Sequence, residues 1–247
     1  MASAGVNERF SAAAYVNDGK HHILLAASGS VATIKIPLIA EALSIHTNVS
    51  VRIVLTQSAE EFLRGQTQEQ PILESLLNLP NVDGIYHDAD EWSKPWVRGD
   101  KILHIELRRW AHVLLVAPLS ANSLAKMVNG ISDGLLLSVI RAWDTTGLID
   151  GRKKFIFVAP AMNTAMWHHP ITKKQIKVLE QDWGTSEDGD VEGWVRVLRP
   201  MEKELACGDV GDGAMMNWKE IIGHVEKNLV LRAEGETNGT RADGTNG

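Results

Sequence analysis

Cysteine is almost missing from this chain: its 247 residues hold one, Cys207. A single thiol excludes an internal disulfide framework and suits a reducing compartment. No segment approaches the roughly 18 uninterrupted apolar residues of a membrane helix. The opening MASAGVNERFSAAAYVNDGK has neither the basic start nor the apolar stretch of a secretory signal, so a cytoplasmic setting is expected. Positive charge is in deficit. Lys and Arg number 25 against 31 Asp and Glu, a formal net charge of −6, which argues against a broad electrostatic grip on nucleic acid. His168-His169 stand before a proline with no second ligand pair, and no metal site is expected. Ser28-Gly29-Ser30 lacks both the GK[ST] of a P-loop and a full G-x-G-x-x-G.

What is present has the balance of a soluble globular protein, with 44% hydrophobic and 23% charged residues. Both ends are expected to be disordered: 1–20 are small and polar, and 231–247 are rich in Gly, Thr and Asn. One domain is expected over 21–230. Within it, continuous apolar runs alternate with longer amphipathic ones. HILLAA (22–27), SVRIVLT (50–56), HVLLVAP (112–118), KFIFVAP (154–160) and VRVLRP (195–200) read as strands. Helices are expected over 31–46, where Pro37 implies a kink or a short first turn, from about Ser58, and around 217–230. This pattern predicts an α/β, flavodoxin-like (Rossmann-type) three-layer sandwich with a parallel sheet.

In such a sheet, ligands sit beyond the carboxyl ends of the strands. SGS, TQSA, PLSANS and PAMN should therefore share one rim. Ser28-Gly29-Ser30 is compatible with an anion cradle or with an ordinary N-cap turn. The hydroxyls of Thr56, Ser58, Ser120 and Ser123 favour a mononucleotide phosphate. His104, expected just before an amphipathic helix, is either a structural residue or, as an imidazole, a proton carrier. Arg108 and Arg109 fit a solvated face, an ion pair or a carboxylate fork. Cys207, in ELACGDVGDGAMM, is a small core residue or a thiol on an exposed glycine-rich loop. Asn163, in APAMNTAMW, is an amide placed beside two methionines and a tryptophan just past a strand end.

Three motifs, HIELRRWAHVLLVAPLSANSLAK, APAMNTAMW and LACGDVGDGAM, together resemble the homo-oligomeric flavin-containing cysteine decarboxylase family over about 21–228, in its fungal-type branch. The resemblance implies FMN as cofactor and a homotrimer with active sites between subunits. It implies decarboxylation of 4'-phosphopantothenoylcysteine to 4'-phosphopantetheine in coenzyme A biosynthesis, by way of a thioaldehyde, loss of carbon dioxide and re-reduction. FMN contacts carry over to Gly29, Ser30 and Val31, to Thr56, Ser58 and Phe62, to Ser120, Ala121, Asn122 and Ser123, and to Ala161. His104 matches the family's base, Asn163 the holder of the substrate carboxylate, and Cys207 the closing proton donor. Ala206 and Met215 match positions beside the substrate, and Arg109 an arginine of substrate handling. Glu204 departs from the family by standing where a basic residue is common, with Lys203 one place earlier, and extra residues occur around 145–153 and 185–194. The alternative implied by fungal relatives is an inhibitory subunit of a Ser/Thr protein phosphatase, or a partner-dependent subunit of a hetero-oligomeric decarboxylase. The short tail, with Glu234, Glu236 and Asp243 its only acids, weakens that alternative.

Overall fold

The computed structural model describes residues 10–185, 193–204 and 210–229, without the side chains of 202–204 and 210. After a 3-10 turn (Ala12–Tyr15), strand β1 (His21–Ala27) leads through a second 3-10 turn (Val31–Lys35) into α1 (Ile36–Ser44). β2 (Val49–Leu55) is followed by the one-turn helix α2 (Gln57–Glu60) and a hairpin of β3 (Arg64–Thr67) and β4 (Gln70–Ile72). Next come β5 (Val82–His87), α3 (Leu103–Trp110), β6 (Val113–Leu119), α4 (Ala121–Val128) and α5 (Leu135–Arg141). β7 (Phe155–Pro160), α6 (Thr164–His168), α7 (Pro170–Lys177) and β8 (Val195–Val197) precede a hairpin of β9 (Met201–Glu204) and β10 (Val210–Ala214), and α8 (Trp218–Leu229) closes the chain.

β5-β2-β1-β6-β7-β8 form one sheet in that order, every pairing parallel. Burial on both faces explains why these strands read as unbroken apolar runs. Successive residues point to opposite faces: Ile23 and Leu25 of β1 pack with Ile39 and Leu43 of α1 and Ile221 and Val225 of α8. Leu24 and Ala26 pack instead with Leu107 of α3, Leu124 of α4, Val139 of α5 and Ile176 of α7. The result is the expected three-layer α/β sandwich. No helix among the described residues is long and apolar enough to cross a membrane.

Several local expectations are corrected. β5 was not expected, because Asp83 and Gly84 interrupt its apolar pattern; it is the edge strand, and Asp83 accepts a hydrogen bond from the Ser50 hydroxyl. The helix expected from about Ser58 is a single turn that ends at Glu60, because the polar RGQTQEQPI that follows forms a hairpin turning between Thr67 and Gln70, with Gly65 (φ 80°) inside β3. The short first turn expected from Pro37 is present: a 3-10 turn comes first, and α1 begins beside Pro37, whose missing N–H costs nothing there. His104 lies inside the first turn of α3, not ahead of the helix.

Of residues 10–20, expected to be disordered, Phe10, Ala12 and Tyr15 pack against the body of the protein. Phe10, Tyr15, Tyr86 and Trp110 surround the buried guanidinium of Arg52, with ring centroids 4.2, 5.0, 5.8 and 5.1 Å from its central carbon. The Ala12 amide donates to the buried Glu106 carboxylate at 2.8 Å. A strap ordered by distant partners leaves little trace in its own composition.

Histidines gather at the amino ends of β1 and β6, away from the strand-end rim. His22 stacks on Trp110 (4.6 Å, 12°), and its two ring nitrogens face the Trp110 carbonyl (3.0 Å) and Asp18 (2.9 Å). The His22 amide donates to His112 Nδ1 at 3.3 Å. Burial, then the nearby Arg152, push the His112 pKa down from 6.5 to about 3. The unfolded chain therefore binds a proton at this ring below pH 6.5 that the folded ring refuses, so the fold loses stability as pH falls from 6.5 toward 3. Denaturant midpoints of His112→Gln and the parent, compared across that window, should show a flatter pH slope in the variant.

Candidate active site

Strand order reverses between β1 and β6, with β2 and β5 on one side and β7 and β8 on the other. This switch point opens a crevice at the carboxyl ends. Its two walls are tied through Ser28, which is fully buried. Ser28 N–H and Oγ–H both donate to the Pro118 carbonyl (3.0 and 3.2 Å), and the Ser120 amide donates to Ser28 Oγ at 2.8 Å. Farther along the rim, Thr56 N donates to Ala27 O (3.1 Å) and Ala161 N to Leu119 O (3.0 Å). The Ala117–Pro118 peptide bond is cis.

The rim brings together Gly29, Ser30 and Val31 after β1, Thr56 and Ser58 after β2, Ser120, Ala121, Asn122 and Ser123 after β6, and Ala161 after β7. Gly29 is required by close approach: a Cβ there would overlap the Ser58 side chain, 2.7 Å from its Cβ. Ser30 and Thr56 open their turns with extended backbones and no side-chain cap, so neither turn's first amides are taken up by a capping oxygen. Thr56 and Ser58 hydroxyls lie 3.2 Å apart. Ser120 caps α4, its Oγ accepting from Ser123 N at 3.2 Å. Phe62 is half-buried beyond α2.

Asn163 is exposed and caps α6: its Oδ1 accepts from Ala165 N at 2.8 Å. That bond commits the carbonyl and turns the amide NH2 away from the helix. Among the described residues no hydrogen bond engages it. Of its neighbours, Met162 is buried, Trp167 half-buried and Met166 exposed. The β9–β10 hairpin docks against this segment, with Met162 N donating to Gly213 O at 3.0 Å and His168 Nε2 lying 2.8 Å from Asp212. A Cβ at Gly213 would collide with the Met162 carbonyl oxygen. Met215, just after β10, is buried in the core. Cys207 and Ala206, between the two strands, lie outside the described residues, as does the side chain of Glu204.

The His104 ring meets Glu91, which follows β5, at 2.9 Å, while Asn163 follows β7, four places along the sheet order. Arg109 is half-exposed and donates to Glu106 at 3.0 Å, whereas Arg108 is buried 3.4 Å from Asp150. The 145–153 segment folds around Asp144. Burial works against ionisation there, but the Asp150, Ile149 and Gly147 amides and the Thr146 hydroxyl outweigh it and hold the pKa near 2. Of 185–194, only the flanks are described; Trp183 stacks on Trp194 at 5.0 Å.

Sequence reading missed Ser28 and Glu91. The first looked like the turn's leading serine. The second sits in DADE, three acids in four residues after a strand that was itself not recognised.

A doubly wound sheet with serine- and glycine-lined loops at its switch point defines a mononucleotide-binding α/β protein. The chain belongs to the flavoprotein family, whose profile matches residues 11–230. It is 41% identical over 221 residues to phosphopantothenoylcysteine decarboxylase of Arabidopsis thaliana, covering 90% of this chain and 91% of that one. Among solved structures it resembles a PPC decarboxylase mutant complexed with pantothenoylaminoethenethiol (TM-score 0.68, 41% identity, 85% of this chain and 98% of that one). It is also similar to the FMN binding protein AtHal3 (TM-score 0.66, 41% identity, 85% and 97%). Two further relatives are much longer, and the chain spans 30% and 37% of their lengths.

Gly213→Ala should loosen the hairpin from Asn163 while sparing the sheet. Hydrogen exchange at the Met162 amide is expected to speed about fivefold or more, matching loss of a bond worth about 1 kcal/mol net. Exchange in β1 and β6 should not change.

Proposed function

We propose that this chain decarboxylates 4'-phosphopantothenoylcysteine to 4'-phosphopantetheine in the cytoplasm, as a step of coenzyme A biosynthesis with FMN as its flavin. The observation that carries this reading is Asn163: its carbonyl is committed to capping α6, so its NH2 faces out as a carboxylate donor beside β10, the strand that follows Cys207 in the sequence. The crevice suits the cofactor. Gly29 admits close approach, and the turns after Ser30 and Thr56 leave amide donors uncapped for a phosphate. Gly29, Ser30, Val31, Thr56, Ser58 and Phe62 would hold the flavin from one side of the switch point, and Ser120, Ala121, Asn122, Ser123 and Ala161 from the other. When bound, the flavin supplies a two-electron acceptor that later returns the same electrons, leaving the net reaction redox-neutral.

A cysteine carboxylate loses carbon dioxide poorly, because the carbanion left behind has no electron sink. A thioaldehyde at the neighbouring carbon supplies one, and the product of that loss is an enethiolate. His104 takes the proton released when the thiol end is oxidised. Asn163 orients the carboxylate without adding a cation that would stabilise it against leaving. Cys207 returns a proton when the enethiolate is reduced, with Ala206 and Met215 beside the substrate and Arg109 in its handling. Glu91 follows β5 and Asn163 follows β7, four places along the sheet, which fits a homotrimer in which neighbouring copies complete each site.

The purified protein, loaded with FMN and given phosphopantothenoylcysteine, should yield a product lighter by carbon dioxide alone. A product lacking two further hydrogens would remove the role given to Cys207, and unchanged substrate would overturn the reading. Asn163→Ala should lower kcat/KM by about 10²-fold or more, since an orienting donor of this kind is worth about 3 kcal/mol. Gly29→Ala should weaken FMN binding, measured by flavin fluorescence, about tenfold or more, because the first two loops must part to admit the methyl group.

A further inference from the structure

We propose that Glu91 is a positioning residue that sets the tautomer and direction of the His104 ring. This rests on His104 being the base. The Glu91 side chain is only 6% exposed, while the His104 side chain keeps 23% exposure. The two carboxylate oxygens are divided between two donors on one residue. Oε1 meets His104 Nδ1 at 2.9 Å, and Oε2 accepts the His104 backbone N–H at 3.1 Å. A carboxylate can only accept, so the neutral ring carries its proton on Nδ1 and presents the Nε2 lone pair outward. Nε2 is then the atom that can take a proton from substrate.

The other charged groups around this pair are engaged elsewhere. Asp88 accepts from the Leu135 amide at the start of α5 (2.7 Å), Asp90 from the His87 amide (2.7 Å), and Arg108, one turn along α3, faces Asp150. α3 has no side-chain cap of its own at Ile102. Glu91 fills that place from outside, where a negative charge also meets the favourable end of the helix dipole. The carboxylate could therefore be there for the helix alone, and the test has to separate the two roles.

Glu91→Gln does so. The backbone N–H is an obligatory donor and must take the single carbonyl oxygen that glutamine offers. The NH2 then faces Nδ1, which has to become an acceptor, and the ring proton moves to Nε2. Helix capping survives while the base loses its lone pair. The expected result in the FMN-loaded protein is a switch of the His104 tautomer, read from ring ¹⁵N shifts, with a melting temperature near the parent's. Turnover should fall about 10²–10⁴-fold with little change in KM, the size seen where a His–carboxylate pair adopts the wrong tautomer. Glu91→Asp keeps both acceptors and should restore the parent tautomer and part of the turnover. An unchanged tautomer in Glu91→Gln, or a switched tautomer with unchanged turnover, overturns the proposal. If the parent protein itself leaves phosphopantothenoylcysteine untouched, the decarboxylase reading and the catalytic part of this proposal fall together. The ring signal then still decides whether Glu91 sets the tautomer.

Discussion

A buried serine hydroxyl holds the two halves of this protein together at the point where they would most easily part. Ser28 closes β1 and bonds across the seam to Pro118 and Ser120, which close β6. A fully buried polar group persists only when satisfied, and here its satisfaction is what joins the first and third loops. Because the sheet order reverses at this seam, the connections after β1 and β6 lead to helices on opposite faces, the arrangement that leaves a crevice between them. The glycine of the next position, the uncapped turns and the α4 cap all take their places from that junction.

The molecule divides its polar chemistry between the two ends of the sheet. At the amino ends His22 and His112, and at mid-strand the caged Arg52, are locked by carbonyls, rings and burial, and they serve packing. At the carboxyl ends, Asn163 and His104 keep an atom open to solvent while the rest of each side chain is pinned. Asn163 is pinned by α6 and His104 by Glu91. Orientation by a committed partner, with one group left over, is how a fixed scaffold prepares a site before its ligands arrive.

Much of the fold was legible because both faces of the central strands are buried, which leaves unbroken apolar runs at β1, β2, β6 and β7. β5 escaped because an edge strand can carry Asp83 and Gly84. The end of α2 was not legible because a single helical turn has no periodicity to measure. The strap at 10–20 was invisible for another reason: Phe10 and Tyr15 bind Arg52 and Trp110, 37 or more residues away. At the site, APAMNTAMW was legible as a motif, yet its members differ in burial, and Met166 projects into solvent while Met162 packs.

Local pattern alone determined the layer architecture, the rim on which ligand chemistry falls, and the residue types available there. Hydrophobic periodicity records burial, and loops between buried strands and helices must surface at one end. Tertiary structure decided which of those residues are committed and which remain available. That His104 presents Nε2 depends on Glu91, on the far side of a 13-residue separation, whereas Asn163 is committed by Ala165, two residues on, once α6 forms at the end of β7. Hydrogen bonds are directional and strand neighbours are non-local, so neither can be read from spacing along the chain.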